Sequence, residues 1–168
     1  MRDLTKRRAR GACSCRPLVC ATAETRNFIW ALRLWLDGAL GQNIVWSRLS
    51  VALGPKEAHR ALREMETFIA ALAACARRPI QRGPSGCPNL HEDEAAIGRM
   101  LRLAVTGDRA RARREAQLLL CEGADEIVPL AATLGAAFAA LGDLDGGASL
   151  IAARPLAPER RPEHVTLH

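Results

Sequence analysis

Residues 54–79, with the sequence GPKEAHRALREMETFIAALAACARRP, determine the fold predicted for this chain. Gly54 is suited to end one helix in a left-handed conformation, and Pro55 is suited to begin the next. Two arginines followed by Pro79 favour a helix end at the other side. Between these signals, apolar residues recur at steps of three and four, as they do on one face of a helix. They are Ala58, Leu62, Met65, Ile69, Leu72 and Ala76, with Ala61, Phe68 and Cys75 beside them. We therefore predict one long core helix.

The rest of the chain has the same helical periodicity, interrupted by glycines and by residues that favour helix starts. The predicted N-caps are Thr25, Asn43, Asn89, Asp108 and Asp125. The first helix is expected to bury Phe28, Ile29 and Leu32 and to expose Arg33. No segment alternates in the manner of a β-strand for more than a few residues. The fold class is therefore all-α, a globular bundle of about six helices.

The helical pattern occupies the middle of the chain and predicts one domain with two tails. Residues 1–23 are charged and lack periodicity, which predicts a disordered basic arm. A second interpretation of the arm is a start-site artefact, because the helical pattern begins only near Glu24. Residues 24–142 form the helical domain, and residues 143–168 form a proline-rich, disordered C-terminal tail.

A loop divides the predicted domain into two three-helix halves. Residues 80–88, IQRGPSGCP, contain two glycines and two prolines, a composition typical of loops. The halves on either side are residues 24–79 and 89–142. Short turns within each half favour antiparallel neighbours.

The positive charge of the chain is concentrated at its N-terminus. The net charge is +6, of which residues 1–20 carry +5. The remaining residues carry only +1, so the folded part is nearly neutral. A neutral domain does not have the basic surface expected of a duplex-DNA-binding protein.

The cysteine and hydropathy patterns indicate a cytoplasmic protein. Three of the six cysteines lie within the first 20 residues, and the number is low for a disulfide framework in a chain of this length. No run of 18 uninterrupted apolar residues is present, so we expect no membrane association.

Two residues near the central loop are candidate metal ligands. Cys87 and His91 lie four residues apart, and Cys75 and Cys121 would complete a site if the fold brought them together. Zinc requires about four ligands, and these residues are expected to be ordinary loop and helix positions without a metal or other cofactor. One remaining alternative is a cysteine-based metal or redox sensor, with Cys87 as a reactive thiol near a helix start.

A nucleic-acid-associated regulator is another alternative. Residues 46–65 have the spacing of apolar residues and glycine that is typical of a helix-turn-helix. Two features depart from the motif: the Gly54–Pro55 turn is shorter than usual, and Arg60 occupies a position where such motifs place an apolar residue. The residues that would contact phosphates in this interpretation lie in the arm and on the corner. They are Lys6, Arg7, Arg8, Arg10, Lys56, Arg60 and Arg63.

Catalytic signals are weak. The acidic run Glu92, Asp93 and Glu94 begins a predicted helix, where it complements the helix dipole. Consecutive side chains on a helix diverge, so these carboxylates make a poor acid–base pair. We expect no enzymatic activity.

The sequence thus predicts a small helical protein that acts by binding a protein partner or by self-association. Aromatic and arginine residues are enriched at protein interfaces. The candidate interaction residues are Trp30, Arg33, Arg77 and Arg78.

Overall fold

A computed structural model describes residues 16–142 and shows an all-α globular bundle, which confirms the predicted fold class. The described part of the chain contains six α-helices and one pair of two-residue strands. The helices are α1 (Ala23–Leu36), α2 (Ala39–Leu53), α3 (Pro55–Cys75), α4 (Glu92–Val105), α5 (Arg109–Leu119) and α6 (Ala124–Ala139). The strands are β1 (Arg16–Pro17) and β2 (Asn89–Leu90), which pair antiparallel.

Helix α3 follows the prediction at its start and is shorter at its end. Pro55 is its first residue, after Gly54 with φ of +81°. The helix ends at Cys75, because Ala76 adopts an extended conformation. Its 21 residues span about 32 Å.

The second helix begins earlier than predicted. Gly38, with φ of +100°, makes the turn after α1 by itself. Helix α2 therefore starts at Ala39, before the expected cap residue Asn43. Gly41 then lies inside α2 and against α1. A Cβ atom there would lie 2.0 Å from the carbonyl oxygen of Leu34, so only glycine permits this close helix crossing.

Three other predicted caps are displaced by two or three residues. Helix α1 begins after Thr22, not after Thr25, and α4 begins after His91, not after Asn89. Gly123, in a left-handed conformation, precedes α6, so Asp125 lies within its first turn. The prediction for α5 is confirmed, since the Asp108 side chain accepts a hydrogen bond from the Arg111 N–H.

Helix α6 is central to the packing. It packs against α1, α3, α4 and α5. The three phenylalanines of the chain meet in this core, with Phe28 edge-on to both Phe68 and Phe138 at ring-centroid distances of 5.5 and 5.3 Å. One hydrophobic cluster therefore spans residues 24–79 and 89–142, and the two halves do not have separate cores.

The ordered fold reaches further toward the N-terminus than expected. Arg16 pairs with Leu90 across the two short strands, and the Leu18 N–H donates to the Pro88 carbonyl. The predicted arm of residues 1–23 is therefore too long at its C-terminal end, because residues 16–22 pack onto the domain. Most of the arm, including Lys6, Arg7, Arg8 and Arg10, lies outside the described residues, as does the tail of residues 143–168.

None of the helices described over residues 16–142 combines the length and apolar character that crossing a bilayer requires.

Candidate interaction surface

Helix α2 lies at the periphery of the bundle, where it packs against α1 and α3. Its buried residues are Gly41, Val45 and Leu49, which follow one another at steps of four and therefore form one face. This face carries all of the fully buried residues of α2.

The opposite face of α2 is apolar and exposed. Leu40 is 83% exposed, Val51 is 87% exposed and Ile44 is 41% exposed. Together with Ser47 they lie at steps of four, three and four, within an arc of about 60° around the helix. We refer to Leu40, Ile44, Ser47 and Val51 as the α2 face.

Two further large apolar side chains are exposed in this part of the chain. Leu36, at the end of α1, is 44% exposed, and Trp46 is 39% exposed. The Trp46 ring stands edge-on to His59, with 6.5 Å between the ring centroids. Of the eight large hydrophobic side chains exposed within residues 16–142, five lie between residues 36 and 51. Single exposed apolar residues are common, so it is their concentration on and next to α2 that distinguishes this helix from the others described.

Arg33 does not belong to the surface, and the prediction that it faces solvent is wrong. It is fully buried. Its Nε and Nη2 atoms donate to the two carboxylate oxygens of Glu94 at 2.7 and 2.6 Å. The guanidinium also donates to the carbonyls of Cys87 and Asn89. Arg33 therefore joins α1 to the start of α4 and to the loop before it.

Glu94 is buried as completely as its partner. It accepts the two bonds from Arg33 and two more from the backbone N–H groups of Gly83 and His91. Burial acts to raise the pKa of Glu94, but the hydrogen bonds to its charged form outweigh burial and hold this pKa below its ordinary value. The carboxylate therefore remains ionised inside the protein.

Asp93 repeats this arrangement at the edge of the bundle. Both of its oxygens accept from Arg78 at 2.7 Å, and Oδ2 also accepts from the Gln81 N–H. Burial acts to raise the pKa of Asp93, but these hydrogen bonds and the positive charge of Arg78 lower it by more. The pKa of Asp93 is therefore below its ordinary value. The first turn of α4 thus holds the preceding loop in place.

The remaining predicted interaction residues have internal contacts as well. Arg77 donates from Nε to the carbonyls of Gln117 and Leu120 at the C-terminal end of α5. Trp30 is half-buried and packs against the core. Arg77 and Arg78 are exposed, yet both fasten the loop that follows α3.

A groove adjoins this loop and has a cavity volume of about 470 Å³. Its walls include Leu36, Ile69 and Ile80. Of the arginines that line it, Arg82 is paired with Asp37 at 2.9 Å, in the same way that Arg78 is paired with Asp93. Since both arginines are paired with carboxylates, the side chains left to contact another molecule in the groove are mainly apolar. The groove therefore continues the apolar surface at Leu36.

The four candidate metal ligands do not assemble into a site. Among residues 16–142, no group of three or more histidine, cysteine, aspartate and glutamate side chains is placed to hold a metal ion. Cys87 and His91 take part in the loop through their backbones, which bond to Arg33 and Glu94 respectively. Cys75 and Cys121 are neighbours, because the Cys121 N–H donates to the Cys75 carbonyl at 2.8 Å.

The helix-turn-helix-like corner is formed by α2, Gly54 and α3. Lys56, Arg60 and Arg63 are exposed on α3. Arg60 forms an ion pair with Glu57 on the same helix. Nucleic-acid binding at this corner stays a prediction.

Sequence reasoning missed both the α2 face and the buried ion pairs, although signals for each were present. Arg48 is the only charged residue in α2, and a helix that is apolar on most sides has more than one face to cover. Asp93 and Glu94 lie four and three residues before Ile97, so they continue the buried stripe of α4.

No protein-family model, curated protein or solved structure matches this chain.

Proposed function

We propose that the protein acts by self-association, in which the α2 faces of two copies pack against each other. The observation that supports this proposal is the exposure of Leu40, Ile44 and Val51 on one side of a helix whose other side is buried in the bundle. These side chains have the spacing of a coiled-coil seam.

The order of residues along α2 favours a second copy as the occupant. When two copies of the helix run antiparallel about a two-fold axis, Leu40 lies opposite Val51 of the second copy. Ile44 then lies opposite Ser47, since both pairs are centred on the same point of the helix. A surface that is complementary to itself in this way meets the requirement for a symmetric dimer. The two helix dipoles also run in opposite directions, which is favourable.

The expected affinity is moderate. Full burial of a leucine or valine side chain contributes roughly 1.5–3 kcal/mol, whereas association itself costs at least about 4 kcal/mol. Ile44 is already more than half buried in the single chain, so the net gain is modest, and we expect a dissociation constant on the order of micromolar.

Sedimentation equilibrium of the full chain over roughly 1 to 300 micromolar tests the proposal. We expect a monomer–dimer equilibrium. Leu40→Asp should weaken it at least about tenfold, because the substitution places a carboxylate against Val51 of the second copy. Leu118→Asp is the matched control, since Leu118 is a 62% exposed leucine on α5 and lies outside the α2 face.

A double variant tests the antiparallel geometry. Leu40→Asp combined with Val51→Lys brings opposite charges together at both ends of an antiparallel pair, so it should restore part of the association lost in Leu40→Asp. In a parallel pair the same changes bring like charges together and weaken association further. A chain that is monomeric throughout the concentration range, or a dimer insensitive to Leu40→Asp, would contradict the proposal.

A further inference from the structure

The C-terminal ends of α3 and α5 are joined by a short antiparallel backbone pairing. Ala76 is paired with Leu120, the Arg77 N–H donates to the Leu119 carbonyl at 2.9 Å, and the Cys121 N–H donates to the Cys75 carbonyl at 2.8 Å. This register places Cys75 directly across from Cys121. The two cysteines are therefore adjacent in the fold although α4 and α5 lie between them in the chain.

The distance across such a pairing suits a disulfide. Cys75 and Cys121 share a backbone hydrogen bond, and opposed antiparallel residues of this kind have Cα atoms about 5.5 Å apart. Disulfides bridge Cα atoms about 4.4–6.8 Å apart. The Cys75 sulfur is directed toward the turn that carries Cys121. A Cβ atom added to Gly123, two residues beyond Cys121, would lie 3.2 Å from that sulfur.

The two thiols differ in accessibility. Cys121 is exposed and Cys75 is half-buried, and both are free cysteines. An exposed thiol can react with a small molecule from solvent, and a half-buried neighbour can then resolve the product within the protein.

We propose that Cys75 and Cys121 form a reversible intramolecular disulfide by exchange with a small-molecule disulfide of the glutathione class. The Cys121 thiolate attacks the small disulfide, forms a mixed disulfide and releases one small thiol. The Cys75 thiolate then attacks the Cys121 sulfur and displaces the second small thiol. The two cysteines lose two electrons and two protons, which reduce the small disulfide to two thiols.

The disulfide would fix the joint between α3 and α5 covalently. It closes a loop of the chain from residue 75 to residue 121, which contains the segment between α3 and α4 and all of α4 and α5. Closing a loop of this length lowers the entropy of the unfolded chain, so oxidation should raise the melting temperature by roughly 10 °C. This modification is separate from the α2 face and does not depend on self-association.

Equilibration of the full chain with mixtures of reduced and oxidised glutathione tests the proposal. After the remaining thiols are alkylated, mass spectrometry of tryptic peptides should identify a peptide that contains Cys75 linked to one that contains Cys121. Cleavage after Arg77 and Arg114 separates these peptides in the reduced protein. The melting temperature of the oxidised protein should rise as stated and return to its original value with a reductant.

Single variants define the pair. Cys121→Ser should abolish both the linked peptide and the rise in melting temperature. Because Cys121 is exposed, the substitution itself should change the stability of the reduced protein little. Cys87→Ser is the matched control, and it should leave both intact. A linked peptide that joins a different pair of cysteines, or glutathione retained on Cys121 without linkage to Cys75, would overturn the proposal.

Discussion

The α2 face and the start of α4 depart from the usual distribution of residues in opposite directions. On α2, Leu40 and Val51 are apolar and exposed, whereas Glu94 in the first turn of α4 and its partner Arg33 on α1 are charged and fully buried. The buried charges each have several hydrogen-bond partners within the chain. The exposed apolar side chains of α2 have solvent on the side away from the bundle.

The start of α4 pairs its buried charges within the chain, whereas α2 leaves apolar side chains exposed to solvent. A buried charge without partners would destabilise the fold, so Arg33 and Glu94 must be paired internally for the protein to fold. An exposed apolar residue costs little stability and can remain available for another molecule. The start of α4 is therefore a structural joint, and the α2 face is a binding surface by our proposal.

The largest effect on stability is expected from breaking the buried ion pair. Arg33→Met leaves the Glu94 carboxylate buried without its cationic partner, and we expect the free energy of unfolding to fall by about 3–5 kcal/mol. Urea denaturation followed by circular dichroism measures this loss.

Arg60→Met provides the matched control for this variant. The ion pair between Arg60 and Glu57 lies on the solvent-exposed side of α3, so its loss should change the free energy of unfolding by no more than about 0.5 kcal/mol. Equal losses in Arg33→Met and Arg60→Met would show that the contrast in burial has no energetic consequence.

A smaller effect is expected from acid. Since the pKa values of Asp93 and Glu94 are lower in the folded protein than their ordinary values of 3.8 and 4.5, the unfolded chain binds protons first as the pH falls. Their stabilising contribution is complete above these ordinary values and is lost as the pH falls through the lower, folded-state values. Thermal unfolding between pH 7 and about pH 2 measures this loss.

Glu94→Gln separates the contribution of Glu94 from that of other carboxylates. The variant should be less stable than the unmodified protein at pH 7, and the difference between the two should narrow below about pH 4.5. A constant difference at every pH would contradict the role of the ionised carboxylate.

The smallest effect on stability is expected on α2. Leu40→Asp and Val51→Asp alter side chains that are more than four-fifths exposed, so the free energy of unfolding of the monomer should change by no more than about 0.5 kcal/mol each. Denaturation at concentrations below the dissociation constant measures this value without a contribution from association. A loss of several kcal/mol would place these residues in the core.

The positions of the helices were largely predictable, and their ends were less so. Glycine and proline signals at Gly54 and Pro55 located α3 correctly because they act on the local backbone. Cap residues were misplaced by two or three positions at α1, α4 and α6, since several neighbouring residues there are suited to precede a helix. Gly38 shows the same limitation, because its turn needed fewer residues than expected.

The candidate sites were less predictable than the helices. Arg33 was expected to face water as a charged residue beside an apolar stripe, but Glu94, 61 residues away in the chain, provides its buried partner. The exposure of Leu40 could not be read from its hydrophobicity, because α2 has apolar residues on two opposite sides. Only the packing of the other helices determined which side was buried.

The sequence by itself determined that this protein is an all-α bundle, with six helices and the apolar stripes of the core. These features follow from interactions between residues three and four positions apart and from local backbone preferences. The tertiary structure decided that Arg33 binds Glu94, that Cys75 lies beside Cys121 and that the α2 face remains open. Each of these depends on segments that are distant in the chain, and their juxtaposition is fixed only when the helices pack.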